Sequence, residues 1–281
     1  MRTLFLLVRY EILKTFRKWR TYIGFVAIAV VVPLVEVALR AQGDSLIRSM
    51  SRGLAADFII IGNLLNTYFV TYFIMNSLWV HVPFLITLGA GDQLAGEATG
   101  GTFRLILTRP VSRTRILVAK YLTTLLYTAA LVGFLGLLSL SLGAILLGTG
   151  DLLVPGKTLV LLPKGEALWR ICVAVVFAIW GMWCVASLAF LFSSLVENAI
   201  GPIIGTMAVI IVLYIVTNVP IDLFVTIRPY LFTTYFNLWQ RIMEEPIPWS
   251  EIFRSVGVLG GFSIGFYLIT WYIFARKDVL S

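Results

Sequence analysis

The chain has 281 residues, of which 59% are hydrophobic and 13% charged, about half the ~25% charged fraction of a soluble domain. Its apolar residues come in runs too long for a globular core, which excludes most soluble classes and points to an integral membrane protein. The 22 Lys and Arg against 14 Asp and Glu give a net charge of +8, and the two cysteines, Cys172 and Cys184, lie inside one apolar run, fitting neither a disulfide framework nor a metal knuckle.

Residues 1–20 carry scattered charge and no small-residue cleavage site, so they do not read as a removable signal peptide. Phe5, Val8, Ile12, Phe16 and Trp19 recur at spacings of three and four, with Arg9, Lys14, Arg17 and Lys18 mostly on other faces. That pattern predicts an amphipathic helix lying in the membrane interface. Residues 21–281 then form the membrane domain. Crossing ~30 Å of hydrocarbon takes ~20 mostly apolar residues as a helix, and six runs qualify, at about 21–39, 68–91, 121–148, 171–196, 198–220 and 255–275. The expected fold is therefore all-α with six transmembrane helices.

The first run is interrupted by Pro33 and Glu36. Glu36 falls near its outer end, where a side chain can snorkel to water, and lining a cavity is the minority reading. The second belongs to a longer apolar stretch, 58–91, which must bend or lie partly outside the bilayer. It carries Asn76, Ser77 and His81, the only histidine. No ligand set at metal spacing surrounds His81, so a hydrogen-bonded packing role stands ahead of a pathway-lining one.

Between the second and third runs lies GDQLAGEATGGTFRLILTRPVSRTRILVAK, residues 91–120. Asp92 and Glu97 come first, then Gly100, Gly101 and Thr102. A short helix over about 103–108 stops before Pro110, and Ser112 is placed to cap a helix starting near Arg113. A glycine-loosened, acid-then-base insert of this kind suits docking to a cytoplasmic partner; an ordinary solvated loop is the plainer alternative.

Two further stretches imitate catalytic motifs. Gly150–Thr158 resembles a phosphate-binding loop, but Asp151 stands where the first glycine is required. Gly89-Ala90-Gly91-Asp92 spells the motif of intramembrane aspartyl proteases, whose chemistry needs a second carboxylate sharing a proton, and no other aspartate lies mid-span. Gly201 and Gly205 on the fifth run and Gly257, Gly261 and Gly265 on the sixth permit close helix approach, with packing inside the chain favoured. The aromatic stretch after the fifth run, from Tyr230 to Trp249, reads as an outer interfacial belt.

With the N-terminus inside, the inner segments hold thirteen of the 22 basic residues and five of the 14 acids, which puts the whole excess on one face. The positive-inside rule then places both termini in the cytoplasm. The basic charge speaks for anionic lipid head groups and not for nucleic acid.

The pattern Glu97-x3-Gly101-Thr102-x-Arg104, followed by Leu107-x-Arg109-Pro110-x-Ser112-Arg113, resembles the signature of ABC-2 type permeases, the membrane subunits of a class of ABC transporters. The likeness extends to the basic N-terminal helix, the six spans, the outer segment before the last span and the basic tail at 275–281. It implies that the insert between spans two and three is a coupling helix seated on a separate cytoplasmic ATP-binding subunit, with Asp92, Glu97, Gly101, Thr102, Arg104, Arg109 and Arg113 carrying the contact. It further implies a second permease copy, export driven by ATP and Mg held on the partner, and a prokaryotic inner membrane. This chain has no nucleotide motif of its own, so neither an enzymatic role nor a bound cofactor is expected. A membrane anchor or assembly protein without transport, or an intramembrane enzyme, are the competing classes.

Overall fold

A computed structural model describes residues 2–51, 65–99, 112–155 and 160–276. Helix α1 (Arg2–Arg17) turns at Lys18 into α2 (Trp19–Ser51). Three shorter helices follow, α3 (Thr67–Leu78), α4 (Val82–Ala90) and α5 (Asp92–Thr99), and then α6 (Arg113–Leu146). An antiparallel hairpin pairs β1 (Leu152–Val154) with β2 (Val160–Leu162) through Leu153 and Leu161 at its centre. Helices α7 (Lys164–Leu195), α8 (Ile200–Asn218) and α9 (Asp222–Ile227) lead into 3-10 turns at Arg228–Tyr230 and Phe232–Met243, and α10 (Trp249–Arg276) closes the described chain.

Helices α2, α6, α7, α8 and α10 are each long and apolar enough to cross a membrane, and α3 with the α4–α5 stretch adds a sixth span if the bent pair counts as one. The protein is all-α and multi-pass. The expected second span is present but broken: its halves meet at 62°. Pro83 explains the break, because it donates no backbone hydrogen bond and its ring clashes with the helical carbonyl four residues back. The chain turns through tight contacts instead, with Trp79 N donating to Asn76 O and His81 N to Leu78 O, before the helix restarts with Pro83 in its first turn.

Two ends of the bundle are defined by contact. At the basic end, α1 packs on the start of α6 and α5 packs on the end of α7. At the hairpin end, Asn66 caps α3 by accepting from Tyr68 N and Phe69 N and donates to Asp151 O, while Thr67 donates to Gly148 O. Gly148, at φ +71°, supplies the left-handed turn that lets the chain leave α6. Helix α7 is the axis of the bundle. Its Ala174, Ala178, Gly181, Ala186 and Ala189 are buried, and small side chains let α6, α10 and the 3-10 segment approach it closely.

That 3-10 segment differs from the expected outer belt. The Phe236 carbonyl faces Gly181, near the middle of α7, and the Phe232 ring meets those of Phe262 and Phe266 on α10 at 5.5 and 5.9 Å. Phe232, Phe236 and Trp239 turn inward, whereas Tyr230 and Trp249 at the two ends of the expected belt stay exposed; the irregular backbone between them is tolerated where protein surrounds it. The glycines of α10 also depart from expectation. A Cβ added at Gly257, Gly261 or Gly265 would meet open space, so these residues pack on nothing within the described chain, whereas Gly205 does lie against Phe192 of α7.

Candidate functional site

Helix α1 turns polar side chains toward the bundle and leaves several apolar ones exposed. Glu11 and Thr15 are buried, while Phe5, Leu6, Tyr10 and Leu13 are more than half exposed. The buried face of α1 meets α5 and α6 through charge. Lys120, on α6 and 1% exposed at its side chain, donates to Glu11 Oε2 at 2.9 Å and to Glu97 Oε1 at 2.5 Å. Lys14 reaches the same Glu97 oxygen. Lys18 pairs with Asp92 Oδ2 at 2.6 Å, Arg20 approaches Asp92 Oδ1 at 3.4 Å, and Gln93 Nε2 donates to Thr15 Oγ1 at 3.1 Å.

Two carboxylates and two ammonium groups thus form an alternating, largely buried chain, Glu11–Lys120–Glu97–Lys14. Alternation makes burial tolerable, since each charge faces an opposite one instead of water. Burial pulls the Lys14 ammonium down, but the hydrogen bond and charge of Glu97 more than offset this and hold Lys14 above the ordinary lysine value. Helix α5 is tied to α7 as well. Ser193 Oγ accepts from Leu94 N and Ala95 N at 3.1 and 2.9 Å and donates to Gly91 O at 2.6 Å. Thr99 Oγ1 donates to Glu197 O at 2.6 Å. The first turn of a helix leaves its amide donors unpaired, and here a side chain from another span satisfies two of them.

The sequence-predicted residues divide into three groups. Asp92 and Glu97 come together with α1 and α6, their carboxylates turned into the chain. Arg113 begins α6, as expected, and is exposed, although Ser112 makes no side-chain cap. Gly101, Thr102, Arg104 and Arg109, together with the helix expected over about 103–108, lie outside the described residues. Asn76 and His81 sit at the break between α3 and α4 and are exposed, so His81 is not the packed residue expected of it. Asn76 Oδ1 accepts from Gln240 Nε2 at 2.7 Å, and His81 Nδ1 lies 3.3 Å from Ser77 O.

Glu36 does not snorkel. It sits inside the bundle, fully buried on the side of α2 that faces α6, where Ser139 Oγ donates to its Oε1 at 3.1 Å.

Sequence reasoning missed Glu11, Lys14, Lys18, Lys120 and Ser193 as members of one cluster. A signal for Lys120 was present: it shares a helical face with Leu117, Thr124, Tyr127 and Leu131, all buried, and a lysine within such a stripe demands a partner. A second buried base, Arg170, fastens the hairpin end. It donates to Glu166 Oε2 at 2.8 Å, to Glu245 Oε2 at 2.5 Å and to the carbonyls of Ile242 and Glu244, holding the inward-dipping segment to α7. The arrangement at the basic end is mechanical in kind: it fastens α1, α5, α6 and α7 at the point where the chain leaves for residues 100–111.

Residues 25–280 match a family described as "Protein of unknown function (DUF2705)". Over 67 residues the chain is 43% identical to "Uncharacterized protein YhcI" of Bacillus subtilis (strain 168), a match covering 24% of this chain and 21% of that relative. The likeness to YhcI is therefore confined to about a fifth of that protein's length.

Proposed function

The chain belongs to the DUF2705 family, and we propose that it is the membrane permease subunit of an ATP-driven transporter of the ABC-2 type. In this reading the insert at 92–112 takes the push of a separate cytoplasmic ATP-binding subunit, which carries the ATP and Mg. Two permease copies enclose the path, and substrate moves outward across a prokaryotic inner membrane. The basic end faces the cytoplasm, and α1 lies in the interface with its apolar side toward lipid.

The observation that carries this reading is the fastening of α5. A segment leaving the membrane transmits force only if its base is stiff, and α5 is held by charge to α1 and α6 and by Ser193 to α7. Displacing it moves four helices together, which is how a local push becomes a change in the spans. Arg104 and Arg109 provide the charge for the partner contact, because Asp92 and Glu97 are already committed within the chain. A photo-crosslinking residue at Thr102, with an ABC-type ATP-binding subunit co-expressed, tests the contact. Capture of that subunit from Thr102, and none from Asp151 at the opposite end, is expected. Capture from Asp151 alone would reverse the orientation and remove the proposal.

A further inference from the structure

Glu36 is the one fully buried carboxyl of the described residues placed away from both ends of the bundle. It stands on α2, one turn beyond Pro33, and faces α3 and α6. Its Oε1 accepts from Ser139 Oγ at 3.1 Å, and Ser139 Oγ lies 3.2 Å from Thr71 Oγ1. Its Oε2, inaccessible to solvent, meets no hydrogen-bonding partner among the described residues. The charged and titratable groups of the surrounding helices are engaged elsewhere. Arg40, one turn further along α2, is exposed. Tyr68 and Tyr72 on α3 are phenols and not cations, and Tyr72 packs on Trp239. Tyr127 on α6 donates to Leu85 O. Lys120 is held by Glu11 and Glu97 at the basic end, and α4 contributes no ionisable side chain.

We propose that Glu36 is a proton-binding site built into the bundle, with the Ser139 hydroxyl as its partner, Thr71 behind Ser139, and a proton as its ligand. The chemistry follows from the contrast with Glu97. Both carboxyls are buried, but Glu97 has two ammonium groups against it and Glu36 has the single hydroxyl of Ser139. An unpaired carboxylate in an apolar interior is among the most unfavourable arrangements a protein can hold. A carboxylic acid at the same place carries no net charge: its carbonyl oxygen accepts from Ser139, and its one unmatched group is a neutral O–H, which costs far less to bury than a bare carboxylate. With the proton bound, α2, α3 and α6 close around a neutral group. With the proton released, they enclose a bare charge, and the equilibrium shifts toward an arrangement that admits water to it. All the residues of the site belong to this chain.

The test is infrared spectroscopy on the full-length protein in liposomes, comparing wild type with Glu36→Gln and Ser139→Ala at neutral pH. Glu36→Gln keeps the size of the neutral acid and tolerates the site. The carbonyl band of a protonated carboxyl, separate from the carboxylate bands, is expected in wild type. It should be absent in Glu36→Gln and shifted to higher frequency in Ser139→Ala, where the carbonyl loses its donor. A wild-type spectrum whose acid carbonyl region is unchanged by Glu36→Gln would show an ionised Glu36 and overturn the proposal. A band lost in Glu36→Gln but unmoved by Ser139→Ala would overturn the assignment of the hydroxyl partner. A second measurement keeps the outcome unambiguous: dicyclohexylcarbodiimide, an apolar reagent for protonated carboxyls, should modify Glu36 and leave Glu97 untouched, and equal modification of the two would contradict the contrast on which the proposal stands.

Discussion

At the scale of single residues, Lys120 carries the largest electrostatic responsibility. It is shut away from water between Glu11 and Glu97, so its removal leaves two buried carboxylates short of a partner. Breaking a buried pair from one side costs about 3–5 kcal/mol. Lys120→Met is therefore expected to lower stability by that amount in denaturant titration of the detergent-solubilised protein, and adding Glu11→Gln and Glu97→Gln should recover part of it. A change below about 0.5 kcal/mol, the scale of a plain surface substitution, would mean that the cluster is not formed. The residue types that make this cluster were readable in the sequence, but their pairing was not. Glu97 and Lys120 are 23 positions apart and Lys14 and Glu97 are 83 apart, and no local pattern says that α1 folds back beneath α5. A sequence read from end to end assigns the charge of Glu97 outward, to a partner; the packing of α1 turns it inward.

At the scale of elements, the spans were legible because hydropathy alone decides them, and helices α6, α7, α8 and α10 fall within several residues of their expected bounds. What the period of apolar residues does not report is where such a helix continues past its apolar run. Arg40 and Gln42 end the apolar run of α2 without a stop signal, and the helix goes on to Ser51; nor does that period report that Glu36 turns toward Ser139 of α6 and away from water. Nor does composition report that an aromatic-rich loop turns inward, since a ring serves an interface or a core equally well.

Two expected outcomes belong to this scale. Ser193→Ala removes the acceptor for two amide donors at the start of α5, a loss comparable to a helix cap at about 1 kcal/mol. Hydrogen exchange at Leu94 and Ala95 should accelerate by about fivefold to tenfold while α7 stays protected; unchanged exchange at both amides would show that the cap does not hold α5. Replacing Phe5, Leu6 and Leu13 with serine removes apolar area from the exposed face of α1 without touching Glu11 or Lys14. Each such side chain is worth ~1.5–3 kcal/mol when buried. In liposomes the triple variant should lose quenching of a fluorophore introduced at Tyr10, on the exposed face of α1, by interfacial lipid probes and keep all its spans inserted. Quenching equal to wild type would mean that this face of α1 does not meet lipid.

At the scale of the whole molecule, the fold divides its polar chemistry between two ends and one interior point. The basic end is stitched by Glu11, Lys120, Glu97 and Lys14, the hairpin end by Arg170 with Glu166 and Glu245, and Glu36 lies between them with the Ser139 hydroxyl alone. Such a bundle resists sliding at its ends and is least constrained by charge in the middle, which suits a protein whose spans rearrange when one end is pushed. The central claim is that the push comes from a separate ATP-binding subunit through residues 92–112. Its most direct test is ATP hydrolysis by that subunit, co-purified with this chain and reconstituted in liposomes, compared for wild type, Lys120→Met and the double variant Arg104→Glu, Arg109→Glu. A stoichiometric wild-type complex whose hydrolysis is stimulated by the permease is expected. Lys120→Met should retain the complex and lose the stimulation, and the arginine variant should lose the complex. Failure of the wild-type chain to bind the ATP-binding subunit, or stimulation that survives in the arginine variant, would contradict the account.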